Sequence, residues 1–277
     1  MKKMHACASL IALIITVPCL AAEADDLHPL MTSKYWGNIG VFFSERNFDA
    51  SAKGSVAGIT KSLDFESSTG LDDSPDLFIM ELGWQFTSKW GVALQHFESD
   101  RSSSRTLSDS IEWQDLVFDA GVRVEAKSNV EITRLFFARR FHDKGPHSLR
   151  LGAGFHWLRM GASLAGEATI DDLSREFRRS VVKTELPMPN IGAWYRYSPS
   201  RRWMFNFRAD WLSASIDKYN GGIWNAVAGV NFSPWDHVGL GLSYQFFQLD
   251  GTIKEDRWRG DIQTSFTGPV VYISGYW

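Results

Sequence analysis

The stretch Trp203-Met-Phe-Asn-Phe-Arg-Ala-Asp-Trp211 decides how this chain is read. In an extended strand successive side chains point to opposite faces, so Trp203, Phe205, Phe207, Ala209 and Trp211 share one side while Asn206, Arg208 and Asp210 share the other. A broad aromatic face backed by charge suits a wall between lipid and a polar lumen. The same polarity recurs elsewhere. Phe78, Met80, Leu82, Trp84 and Phe86 oppose Glu81, Gly83 and Gln85; Leu149, Leu151, Ala153, Phe155 and Trp157 oppose Arg150, Gly152, Gly154 and His156; Val238, Leu240, Leu242, Tyr244 and Phe246 oppose Gly239, Gly241, Ser243 and Gln245. Each stretch is long enough, at about 10 residues, to cross a membrane as a tilted strand.

The N-terminus carries Lys2, Lys3 and His5, an apolar run over 6–20, and small residues at Ala21, Ala22 and Ala24, which predicts a secretion signal over 1–24 and a single domain over 25–277. A run of about 15 apolar residues is short of the roughly 20 that a spanning helix needs. Cys7 and Cys19 both fall inside that signal, so no disulfide or thiolate chemistry is expected beyond it. No later run reaches the length of an apolar helical span, which leaves a closed barrel as the means of crossing a membrane. The formal net charge of −3 argues against a nucleic-acid partner, and no cofactor is expected.

Segments near 77–86, 90–100, 122–141, 148–160, 188–198, 203–215, 219–232, 237–249 and 259–277 read as strands. That count is odd, whereas barrels of this kind close with an even number. The N-terminal part offers two strand-like runs, 36–43 and 55–65, so the expected fold is an all-β transmembrane antiparallel barrel of about ten strands, with twelve as the alternative. Breaker clusters at 87–89, 142–147, 198–202 and 233–236 predict tight periplasmic turns, and the polar stretches 100–121 and 166–185 predict long outward-facing loops. Twelve tryptophans suit aromatic girdles at the two membrane interfaces. A periplasmic lipocalin-like barrel would also alternate, but glycines recur on one face here while bulky aromatics fill the other.

In order along the chain, Leu63-Asp-Phe-Glu66, Gly70-Leu-Asp-Asp-Ser74, the 78–86 strand, Asp100-Arg-Ser102, Arg105-Thr-Leu107, Ile111-Glu-Trp113 and Gly152-Ala-Gly-Phe-His156 resemble a widespread group of proteobacterial outer-membrane β-barrel proteins, small barrels of the OmpA/OmpW kind. The resemblance implies a location in the bacterial outer membrane and a fold, and carries no activity with it. A final strand ending on an aromatic, Trp277, resembles the signal read by the outer-membrane assembly machinery; members of the group usually end on phenylalanine.

Candidate chemistry is sparse. His96 and Ser99 lie three apart on a strand and therefore face opposite ways, which separates a base from its nucleophile. His156 faces the lumen and needs a partner from a neighbouring strand to act as a base. No catalytic set is assigned on these residues, although a lipid- or lipopolysaccharide-modifying enzyme stands as the alternative. Glu81, Arg150, Arg196, Arg208 and Asp210 should all point inward, and opposite signs should pair across a narrow lumen because an unpaired buried charge is costly. Such a network predicts a plugged scaffold with a structural, small-solute or surface-interaction role, the other possibility being a narrow porin-like channel. Arg175, Arg178, Arg179 and Lys183 in the expected outer loop suit lipopolysaccharide phosphates. The acidic stretch 71–76 lacks the spacing of a calcium loop, so no metal site is assigned.

Overall fold

The computed structural model describes residues 26–54, 69, 76–113, 116–170, 174–216, 219–254 and 258–277. A four-residue helix, α1 (Pro29–Thr32), precedes thirteen strands. They are β1 (Tyr35–Phe43), β2 (Glu45–Gly54), β3 (Asp76–Gln85), β4 (Trp90–Thr106), β5 (Ile111–Trp113), β6 (Leu116–Phe118), β7 (Arg123–Lys144), β8 (His147–Ile170), β9 (Ser174–Ser200), β10 (Trp203–Ile216), β11 (Tyr219–Phe232), β12 (Val238–Lys254) and β13 (Trp258–Tyr276). Each strand of the wall pairs antiparallel with its neighbours in the order β4-β3-β1-β13-β12-β11-β10-β9-β8-β7 and back to β4, a closed barrel of ten. β2 continues β1 along β13 past a break at Ser44. The parity problem is thus solved by the 36–43 run alone, while 55–65 lies outside the described residues.

Closure leaves no strand edge for lipid to meet, which is what a membrane wall requires. The lipid face is apolar: Ile39, Phe78, Leu82, Phe155, Phe207, Leu242 and Ile273 are all exposed there. Trp203 and Trp211, eight residues apart on β10, stand about 20 Å apart along the membrane normal at ~3.4 Å per residue and ~40° tilt, close to the height of the apolar band. A charged row then ends the band, for Glu98, Glu131, Arg159 and Glu185 are consecutive register partners across β4, β7, β8 and β9.

Two expected loops are strands. β4 runs to Thr106, β8 to Ile170, and β9 begins at Ser174, so 100–106 and most of 166–185 extend the wall beyond the charged row. Polar residues there read as loop because neither face meets lipid, yet ladder pairing continues from Val124↔Gly166 to Ile170↔Ser174. The β5–β6 hairpin folds back against this extension, burying Leu107, Ile111 and Phe118 on Val124, Ala126 and Leu164. At the opposite end the connections are short. β7 turns into β8 over Gly145 and Pro146, with Gly145 at φ 56, a left-handed conformation that glycine adopts without strain.

Candidate functional site

The lumen-facing side chains form three stacked fillings. At the short-turn end the N-terminal segment enters the mouth: Leu30 and Met31 of α1 are buried against Trp36, Phe136, Ala138, Trp194, Met204 and Tyr276. His28 caps the helix by accepting from the Leu30 N–H at Nδ1, so a neutral ring carries its proton on Nε2 and donates to Ser233 Oγ at 2.7 Å. Ser233 donates on to Tyr276, and Ser198 Oγ accepts from the His28 N–H. Burial pushes the His28 imidazole down to about 4; Arg196 presses the same way and Asn231 opposes.

Next comes a charged layer. Arg208 donates to Glu81 at 2.6 Å and to Gln95 at 3.0 Å, and its Nε lies 4.0 Å from Asp210. Asp210 accepts from Arg134 Nη2 at 2.8 Å and from Asn225, with Arg134 Nε at ion-pair distance, 2.7 Å, from its other oxygen. Arg134 is fully buried and lies over the rings of Phe136 and Trp194 at 4.3 and 5.2 Å. Glycine on the lumen face makes room for this pair, since a side chain at Gly192 would collide with Asp210 Oδ1. The network reaches the plug through an unbroken chain: Tyr276 donates to Asn231, Asn231 to Ser274, Ser274 to Asn38 and Asn38 to Glu81.

Above the charges lies an apolar layer that the alternation reading missed, having expected a polar lumen throughout. Phe42, Phe97, Phe247 and Phe266 are buried inside the barrel with Ile132, Leu158 and Leu249. Phe97 sits at the centre, edge-on to Phe42, Phe247 and Phe266 at 6.0, 6.2 and 5.8 Å. Edge-to-face rings at this spacing are in favourable packing contact.

Of the five lumen charges expected to meet, the structure brings together Glu81, Arg208 and Asp210. Arg196 instead donates to the Leu30 carbonyl at 3.0 Å, holding the plug, and stacks over Trp36 and Trp194. Arg150 is buried in register with Arg140 and Trp194 and is engaged elsewhere. Arg134 was missed, although the alternation places it on the lumen face of β7 between Ile132 and Phe136. His156 lies in the lumen, tilted against Phe247 at 5.7 Å, with neither ring nitrogen bonded among the described residues. His96 faces outward and meets Thr133 Oγ1 at 2.9 Å, whereas Ser99 is buried inside, as their spacing demands. Arg175, Arg178, Arg179 and Lys183 lie on the outer end of β9 rather than in a loop; Arg179 reaches Glu125 at 3.4 Å. The 71–75 part of the acidic stretch, and the 1–24 signal, lie outside the described residues.

No family model and no curated protein matches the sequence. Among solved structures the chain is similar to the outer membrane protease OmpT of Escherichia coli, with a TM-score of 0.54 and 9% identity over 88% of this chain and 96% of that one. Lower similarity extends to the Ralstonia pickettii toluene transporter TbuX (TM-score 0.38, 8% identity, 90% and 92% covered) and to Ail of Yersinia pestis (0.28, 11%, 87% and 98%). Such identities speak for the fold and not for an activity. With its closed ten-stranded wall and aromatic lipid face, the chain is a bacterial outer-membrane β-barrel.

Proposed function

We propose that the protein is a non-conducting surface barrel whose role is structural or interactive and is exerted through the part of the wall that rises beyond the charged row. The filled lumen carries this reading: plug, ion network and phenylalanine layer follow one another along the axis, and together they occupy the path a hydrated ion needs. Basic residues Arg175, Arg178, Arg179 and Lys183 sit beyond that row, where lipopolysaccharide phosphates are the available anions. β13, closing against β1, is the strand through which the assembly machinery would engage. Planar-bilayer recordings are the test. Steady large conductance from the unmodified protein would overturn the proposal, whereas Arg208→Ala alone should stay silent because the phenylalanine layer above it remains filled, and a small cation-preferring leak is expected only when Phe97→Ala is added to it.

One observation favours an enzymatic second reading. His96 and Thr133 form a base–hydroxyl pair on the lipid-facing wall, just inside the charged row. Among the described residues nothing is bonded to the other ring nitrogen, so the base has no orienting group. Mass spectrometry of lipid A and phospholipids, with expression of the unmodified protein or Thr133→Val, decides it: lipids that do not change with expression remove this reading.

A further inference from the structure

A cavity of about 70 Å³ lies between the plug and the charged layer, reaching from Leu30 to Ser243 and Gln245. Space for the centre of a single water comes to about 10–15 Å³, so this cavity has room for several waters, or for a small anion with water beside it. Its lining is chemically lopsided. Arg196 and Arg208 face a single carboxylate, Glu81, and that carboxylate is held by Arg208 at 2.6 Å and by Asn38 at 3.3 Å. Among the described residues no carboxylate lies within ion-pair distance of Arg196, whose one hydrogen bond goes to the Leu30 carbonyl. Trp36 and Trp194 cover its faces, but aromatic rings offer a quadrupole rather than a countercharge. Gln245, 1% exposed on the cavity wall, keeps its Nε2 amide without a partner among the described residues.

A buried donor with no acceptor and a buried cation with no anion line one cavity and lack the same thing, while Asn206 Oδ1, an acceptor without a partner on the same lining, calls for a water beside the anion. We propose that this cavity is a binding site for one small monovalent anion of the halide or nitrate class, held by the Arg196 guanidinium and the Gln245 amide. The one surplus positive charge of the lining sets the valence. The room favours a compact anion over a bulky one such as gluconate, and a divalent ion would overshoot the charge. The site is independent of any surface role: it is a structural counterion site inside the wall, and its occupancy ties plug and network together.

The protein is refolded and held at one ionic strength in sodium chloride, bromide, nitrate or gluconate, and the temperature at which heat-modifiable gel mobility is lost is recorded. Saturating bromide or chloride is expected to raise that temperature by about 5 °C over gluconate. In Gln245→Leu, which replaces the unpartnered amide by an apolar group of like size and should fold well, the anion dependence is expected to fall at least severalfold. Arg196→Met removes the cation and should abolish the dependence; Arg159→Met, an exposed arginine on the outer wall, should leave it intact. Bromide should appear in anomalous maps of crystals between residues 196 and 245. Equal stability in all four salts, as expected if water alone fills the space, would overturn the proposal, and so would an anion effect undiminished in Gln245→Leu.

Discussion

The phenylalanine layer and the charged layer beneath it fill neighbouring slices of one lumen by opposite physics. Phe97 and its neighbours need only volume and apolar contact, so each buried ring contributes about 2 kcal/mol on its own account and a missing one costs the cavity it leaves. Arg134, Arg208, Glu81 and Asp210 are costly to bury singly and tolerable only as a set, so removing one member strands another. One layer degrades gradually. The other fails member by member, and it is the one placed where the N-terminal plug and the barrel wall have to be joined.

The comparison breaks most sharply at Asp210. Asp210→Ala leaves fully buried Arg134 without its ion-pair partner and is expected to cost about 3–5 kcal/mol, read as a lower urea midpoint for the folded gel form. Arg134→Met added to it should recover most of that loss, since the stranded charge goes with it; a double variant as unstable as the single one would show that the pair does not behave as a unit. Phe97→Ala tests the other layer. It should cost about 3 kcal/mol through the cavity it opens, and bilayer recordings should stay silent because the charged layer beneath remains filled.

A smaller effect concerns the join between plug and wall. The His28 imidazole sits at about 4 when docked, whereas an undocked one titrates near 6.5, so docking is at full strength above about pH 6.5 and weakens as pH falls from there toward 4. At pH 5.5 the loss is about 1 kcal/mol. A nitroxide on Thr32→Cys should therefore become more mobile between pH 7 and pH 5, and His28→Gln should flatten that response. The smallest effect belongs to the outer charged row. Arg159 reaches Glu131 at 3.1 Å and Glu185 at 3.4 Å while half exposed, so Arg159→Ala should shift stability by under about 1 kcal/mol, and less in high salt. A loss as large as that of Asp210→Ala would mean the row is shielded from water in the membrane.

Much of the wall was legible residue by residue. The Trp203 to Trp211 alternation placed Arg208 and Asp210 inward, and both are buried there. The inner phenylalanines were legible too, had both faces been weighed: Phe246 and Phe247 are adjacent, as are Val270 and Val271, and in each pair one member faces lipid and the other the lumen. The loop expectation over 166–185 failed for a different reason. Alternation identifies a strand by the contrast between lipid and lumen; above the charged row there is no lipid face, and the inner side of β8 at Leu164 is covered by the β5–β6 hairpin, so the signal fades while the ladder continues.

The sequence by itself determined which face each strand residue takes, because a period of two is local and needs no knowledge of neighbours. It also determined that the chain crosses as a barrel, since no apolar helix is long enough and an open sheet cannot stand in lipid. Only the tertiary structure decided which inward residues share a height. In a closed barrel every strand is staggered against the next, and that shear is a property of the whole ring. So Arg134 meets Asp210 across 76 positions, Arg208 meets Glu81 across 127, and His28 meets Ser233 across 205. Face is written in the residue and its two neighbours, whereas height exists only once the last strand has paired with the first.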